Sequence, residues 1–183
     1  MDFSQRKIQD NQQIDLALKF LVEKVNEHCH NKKPLLSHSV RVACRLDTLG
    51  SDKNVVIAAL LHDLLEDTNT TLQEISKIFG KKIADFVMMM TFDISIKDKI
   101  QRYQENFINM KNNKSVLIIR AADLIENSFY YDKVPDLKMY RYLLDKYSYF
   151  LLISKTKIHK EIIYKELIYR FKILKKYEDI LYK

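Results

Sequence analysis

A chain of 183 residues, 47% hydrophobic and 30% charged, is one domain by length, or one domain with an appended segment, and its balance argues against intrinsic disorder. Two glycines and two prolines are too few turn residues for a β-sandwich or a doubly wound sheet, so the expected fold class is all-α. The net charge of +7 is lopsided: residues 1–132 carry 18 basic and 18 acidic side chains, whereas residues 133–183 carry 13 and 6. A basic tail suits either a solvated helix face or an anionic partner. Two lone cysteines without CxxC spacing, a polar N-terminus and no run of about 18 apolar residues point to a reduced, cytoplasmic setting and away from a membrane.

Ile14, Leu18, Leu21, Val22 and Val25 form the stripe of a first helix over roughly residues 10–30. A second helix begins near Ser37, carries Val40, Val42, Ala43, Leu46 and Leu49, and ends at Gly50. Asp52 is placed to cap a third, whose run VVIAALL is apolar on all sides and belongs at the centre of a fold. Thr71 and Glu74 have capping-box spacing and open a short helix that stops before Gly80. Residues 81–91 read as the next helix, TFDISIKDK as a loop, and residues 98–112 as a polar amphipathic helix. SVLIIRAADLIENSFYY is a second buried helix, and Pro135 marks a break. Residues 136–154 and 159–182 give two more, the last with Ile163, Leu167, Phe171 and Leu174 in register. Cys29 and Cys44 are expected in the core.

The chemistry concentrates in Ala58-Ala59-Leu60-Leu61-His62-Asp63-Leu64-Leu65-Glu66-Asp67, where four ionisable residues end the most apolar helix. At a 100° step Glu66 falls about 40° from His62, Asp63 at about 100° and Asp67 at about 140°, so the four share one side of the helix. Carboxylates suit the negative end of a helix dipole poorly, and buried charges cost several kcal/mol each without partners. A divalent cation held by imidazole nitrogen and carboxylate oxygen supplies the compensation. Single chemistry-bearing residues sit on neighbouring helices: His38 before the second apolar stripe, and Asp123 inside VLIIRAADLI with Asn127 four residues on. Arg120, in the same apolar run, is placed either to pair with a carboxylate such as Glu126 or to face a pocket.

His38, then His62-Asp63, then Asp123, each on its own helix, resembles the metal-dependent phosphohydrolases of the HD-domain family. The branch it resembles most is the (p)ppGpp hydrolases of the RelA/SpoT type and their small stand-alone relatives. The likeness runs continuously over residues 38–87, with the H-D-x-x-E-D-T element followed by T-x-x-E-I and F-G. It implies an HD-type helical bundle of about eight or nine helices, with residues 1–132 as the phosphohydrolase core. Residues 133–183 would be basic helices packed on that core or on a partner subunit, so a homo-oligomer stays open. The implied metal ligands are His38, His62, Asp63 and Asp123. The implied catalytic pair is Glu66 and Asp67, which position or activate the attacking water. Asn127 would contact ribose or phosphate, while Lys32, Lys33 and Arg41 are candidates to hold the phosphates. The implied cofactor is one divalent metal ion, Mn²⁺ on family grounds, with Zn²⁺ and Fe²⁺ as alternatives.

The implied activity is removal of the 3′-pyrophosphate of ppGpp or pppGpp, giving GDP or GTP and pyrophosphate. Departures from the branch fall at Leu35, where a tyrosine is usual, at Leu124 in place of a basic residue, and at Glu126. These positions bear on base recognition, so a relaxed base preference is expected. An alternative within the same chemistry is another phosphorylated nucleotide, such as an adenine alarmone or a nicotinamide dinucleotide phosphate. A second alternative is a non-catalytic HD regulatory module, and a third is nucleic-acid binding through the tail. The intact Glu66-Asp67 pair argues against the second, and the tail's apolar stripe argues against the third.

Overall fold

The computed structural model describes residues 3–30, 34–134 and 136–181. Among them are nine helices of eight or more residues and one single-turn helix, and no named strand. They divide into two compact units, residues 1–91 and 92–183.

The first unit is built from α1 (Phe3–Glu27), α2 (Leu35–Thr48), α3 (Lys53–Leu61), the single turn α4 (Leu64–Asp67), α5 (Leu72–Phe79) and α6 (Lys81–Met90). Its centre is α3, where every residue from Val55 to Leu61 is buried against α1, α2 and α6. Removing an aliphatic side chain of this size from water is worth about 1.5–3 kcal/mol, so this short run anchors three neighbours. Local chemistry sets its start: the Asp52 carboxylate accepts the Asn54 backbone N–H at 2.9 Å. Gly50, just past α2, takes a φ of +73°, the left-handed turn that a Cβ disfavours. The capping box at α5 is complete, with Thr71 Oγ1 accepting from Glu74 N and Glu74 Oε2 accepting from Thr71 N at 2.7 Å.

The second unit holds α7 (Lys99–Met110), α8 (Lys114–Ser128), a 3-10 turn (Tyr131–Lys133), α9 (Leu137–Ile158) and α10 (Ile162–Leu181). Three of these helices start on side-chain caps, from Asp98, Asn113 and Asp136. The buried helix is α8, packed against α9 and α10. Ile163, Leu167 and Leu174 of α10 are buried, and Phe171 stacks on Tyr147 at 5.6 Å. The tail therefore spends its apolar stripe inside its own unit. Two tyrosines reinforce it, with Tyr140 and Tyr147 donating to the backbone oxygens of Leu174 and Leu167.

Several expectations need correction. The first helix spans Phe3–Glu27, and the second starts at Leu35, two residues before Ser37, with His38 N already bonded to Pro34 O. The apolar run does not continue as one helix through Glu66: α3 ends at Leu61 and a turn at His62-Asp63 precedes α4. Cys29 and Cys44 are both exposed. Cys29 lies on an extended segment bridged to Thr68, and Cys44 faces outward from the amphipathic α2. The break read at Pro135 lies outside the described residues. Among the described residues, no helix is long and apolar enough to cross a membrane.

Candidate metal centre

His38 lies in the first turn of α2 and is fully buried; His62 follows the last residue of α3 and is 1% exposed. Both stand in the first unit because α2 packs closely on α3. Their rings are 5.3 Å apart, and a ligand nitrogen of each lies within 4.8 Å of the other. Asp63, half-buried in the turn after α3, reaches both: Oδ1 is 3.1 Å from His62 Nε2, and Oδ2 is 3.7 Å from His38 Nε2.

The other nitrogen of His62 decides what that contact means. Nδ1 lies 2.8 Å from the carbonyl oxygen of Ala59, which can only accept, so Nδ1 carries the hydrogen. In the neutral ring, Nε2 then presents a lone pair toward a carboxylate oxygen. Two electron-rich atoms at 3.1 Å call for a proton or a cation between them. A backbone carbonyl fixing one imidazole nitrogen so that the other is free to ligate is the usual outer-shell arrangement of a metal-binding histidine. Two imidazoles and one carboxylate thus form a donor set that fits a divalent ion.

The helix break serves this geometry. Asp63 takes φ −95° and ψ −5°, and its carbonyl accepts from the backbone N–H groups of Glu66 and Asp67, which restarts the chain as α4. Glu66 is exposed and Asp67 half-buried, one turn beyond His62 and Asp63. The exit of α4 is tied down twice. Thr68 Oγ1 donates to Leu64 O at 2.7 Å, and His30 N–H donates to Asp67 O at 2.8 Å beside the Cys29–Thr68 bridge. His30 Nε2 also lies 3.3 Å from Asn69 Oδ1.

In the second unit, Asp123 sits on α8 and is 2% exposed. Its Oδ2 accepts from Arg120 Nη1 at 2.8 Å and its Oδ1 from Asn127 Nδ2 at 2.6 Å. Arg120 therefore pairs with Asp123. Burial, with the Asp123 charge adding, pushes the nearby Tyr131 phenol well above its usual range. Leu124 and Glu126 are buried on the same helix. Arg41 is exposed on α2, while Lys32 and Lys33 lie outside the described residues. Sequence reasoning missed the Ala59 carbonyl and Asn106, whose Oδ1 lies 3.3 Å from Arg120 Nη2. No residue-type signal marks a backbone oxygen, and Asn106 lies on a helix that reads only as amphipathic.

Residues 15–138, more than half of the chain, match the HD domain family. The chain belongs to that family. Among relatives of this HD domain, a guanosine-3′,5′-bis(diphosphate) 3′-pyrophosphohydrolase of Aquifex aeolicus is 33% identical over 123 residues, covering 65% of this chain and 18% of that protein. The bifunctional (p)ppGpp synthase/hydrolase SpoT of Escherichia coli is 35% identical over 101 residues, covering 52% and 14%. The chain thus spans less than a fifth of the length of these relatives. Among solved structures, a metazoan ortholog of SpoT that hydrolyses ppGpp matches with a TM-score of 0.74 over 87% of this chain and 94% of that one, at 19% identity. That likeness establishes a shared HD-domain fold.

Proposed function

We propose that this HD domain is a metal-dependent phosphohydrolase that removes the 3′-pyrophosphate of ppGpp or pppGpp. The observation that carries it is the His38–His62–Asp63 donor cluster, immediately followed by Glu66 and Asp67, in a chain whose relatives are named for this reaction. Asp123 joins the cluster as fourth ligand on the strength of its buried carboxylate and its place in the family's A-D-x-x-x-N element. Mn²⁺ suits a mixed set of borderline nitrogen and hard oxygen donors, ahead of Zn²⁺ and Fe²⁺. A divalent ion held there would acidify a water and steady charge on the phosphoryl oxygens.

The protein's own residues do the rest. A carboxylate oxygen of the Glu66–Asp67 pair takes a proton from the attacking water, whose oxygen bonds to the phosphorus attached at the ribose 3′ position. The bond from that phosphorus to the 3′ oxygen breaks, and the 3′ oxygen leaves with a proton as GDP or GTP. Asn127 keeps an acceptor and a second N–H for the nucleotide after donating to Asp123. Lys32, Lys33 and Arg41 oppose the phosphate charge. Residues 1–132 carry this chemistry, and residues 133–183 brace it, in a cytoplasmic setting.

A hydrolysis panel under Mn²⁺ tests the reading, with nucleotides bearing 3′-pyrophosphate, 3′-phosphate or 2′-phosphate groups. Only the first class should be cleaved efficiently. Because Leu35, Leu124 and Glu126 depart from the alarmone pattern, discrimination should have lost one contact of about 1–3 kcal/mol, and the adenine analogue should be cleaved within about a hundredfold of ppGpp. Cleavage of 2′- or 3′-monophosphates in place of both alarmones would move the assignment to another nucleotide.

A further inference from the structure

We propose that Arg120 is the positioning residue of Asp123, setting the direction in which its carboxylate faces the metal; this rests on the reading of Asp123 as a ligand. Arg120 is 3% exposed, in the middle of an apolar helix face. Burying a guanidinium costs several kcal/mol, a cost offset here by pairing with the equally buried Asp123 carboxylate. What the guanidinium adds is direction. Nη1 donates to Asp123 Oδ2 at 2.8 Å and Nη2 to Asn106 Oδ1 at 3.3 Å, so the fork joins α8 to α7. Its charged carbon lies 4.8 Å from the Phe92 ring centre and 5.8 Å from that of Phe107, which hold the group in place by cation–π attraction.

The carboxylate is consequently gripped at both oxygens, Oδ2 by Arg120 and Oδ1 by Asn127. Each carboxylate oxygen offers about two lone-pair directions. A donor on each oxygen sets the rotation of the group. A lysine would keep the charge, yet its single ammonium cannot reproduce a planar fork that reaches Asp123 and Asn106 while resting near two aromatic rings. Partners of this kind around ligating carboxylates are worth about 10–100-fold in metal affinity or activity.

The test is a Mn²⁺ titration of the metal-free full chain, read by the EPR signal of free Mn²⁺, on the wild type, Arg120→Lys, Asn106→Ala and Asp123→Asn, with thermal melts alongside. Arg120→Lys should weaken Mn²⁺ binding at least about tenfold and lower kcat while leaving KM within about threefold. Asn106→Ala, which removes only the second anchor of the fork, should weaken binding in the same direction by less. Wild-type Mn²⁺ affinity in both variants, with binding lost in Asp123→Asn, would overturn the role of Arg120 and leave the metal site standing. Wild-type affinity in Asp123→Asn would instead overturn the ligand assignment itself.

Discussion

Asn127 donates from Nδ2 to Oδ1 of Asp123 at 2.6 Å, one turn along the same helix. The residue expected to meet the nucleotide is thereby also tied to a proposed ligand, so metal and substrate binding should be coupled through it. Asn127→Ala should lower Mn²⁺ affinity about tenfold and raise KM as well. Titration of the metal-free variant and a KM measured at saturating Mn²⁺ separate the two effects. An unchanged affinity with a raised KM would leave Asn127 to the substrate alone.

The His62–Asp63 contact should make the protein's stability follow its metal. His62 Nε2 and Asp63 Oδ1 are held 3.1 Å apart, a contact that a proton or a cation must make favourable. Chelation should therefore lower Tm, and ion at a hundredfold excess over its Kd should restore about 2.7 kcal/mol. His62→Ala should lose that dependence and contain less metal by elemental analysis. Equal metal in both proteins would remove the site.

Glu66 and Asp67 follow His62 and Asp63 on a separate single turn, and the proposed reaction gives them to the water, not to the ion. Glu66→Gln and Asp67→Asn should lower kcat by about two or more orders of magnitude with a modest change in KM, and should bind Mn²⁺ as the wild type does. Activity surviving in the double variant would assign the proton to another group.

The basic tail should act by packing. Leu167 is fully buried and its carbonyl accepts from Tyr147 Oη, while Arg170 Nε and Nη2 donate to Ser128 Oγ and O at the end of α8. Leu167→Ala should cost about 2–5 kcal/mol in a denaturant titration. Nucleic-acid affinity of the wild type should be weak and lost at moderate salt. Tight, salt-resistant binding would contradict this.

The helical fold was legible because local signals and apolar periodicity agreed. Asp52, Thr71 with Glu74, and Gly50 mark helix ends by side-chain hydrogen bonds or a left-handed turn, both of which depend on residue type. The break at His62-Asp63 was not legible, because the apolar run on either side of it gives no interruption and the turn depends on tertiary packing. Cys44 shows the same limit: a small sulfur side chain suits a core, yet its position on α2 points it outward. Arg120 could be recognised as unusual from its apolar surroundings. Its partner follows from spacing as well: Asp123 at i+3 shares a helix face with Arg120, whereas Glu126 at i+6 lies about 120° around the helix. The candidate donors His38, His62 and Asp63 stand out by type and spacing, while the hydrogen bonds that orient His62 and Asp123 come from a backbone carbonyl, Arg120 and Asn127.

The most direct test of the proposed reaction is hydrolysis of ppGpp in ¹⁸O-labelled water under Mn²⁺, with products identified by mass. Attack at the phosphorus joined to the 3′ oxygen predicts unlabelled GDP and singly labelled pyrophosphate in equal amounts, with the reaction abolished by chelator and by Glu66→Gln. Release of inorganic monophosphate, label in the nucleotide, or no cleavage by metal-loaded protein would contradict the assignment.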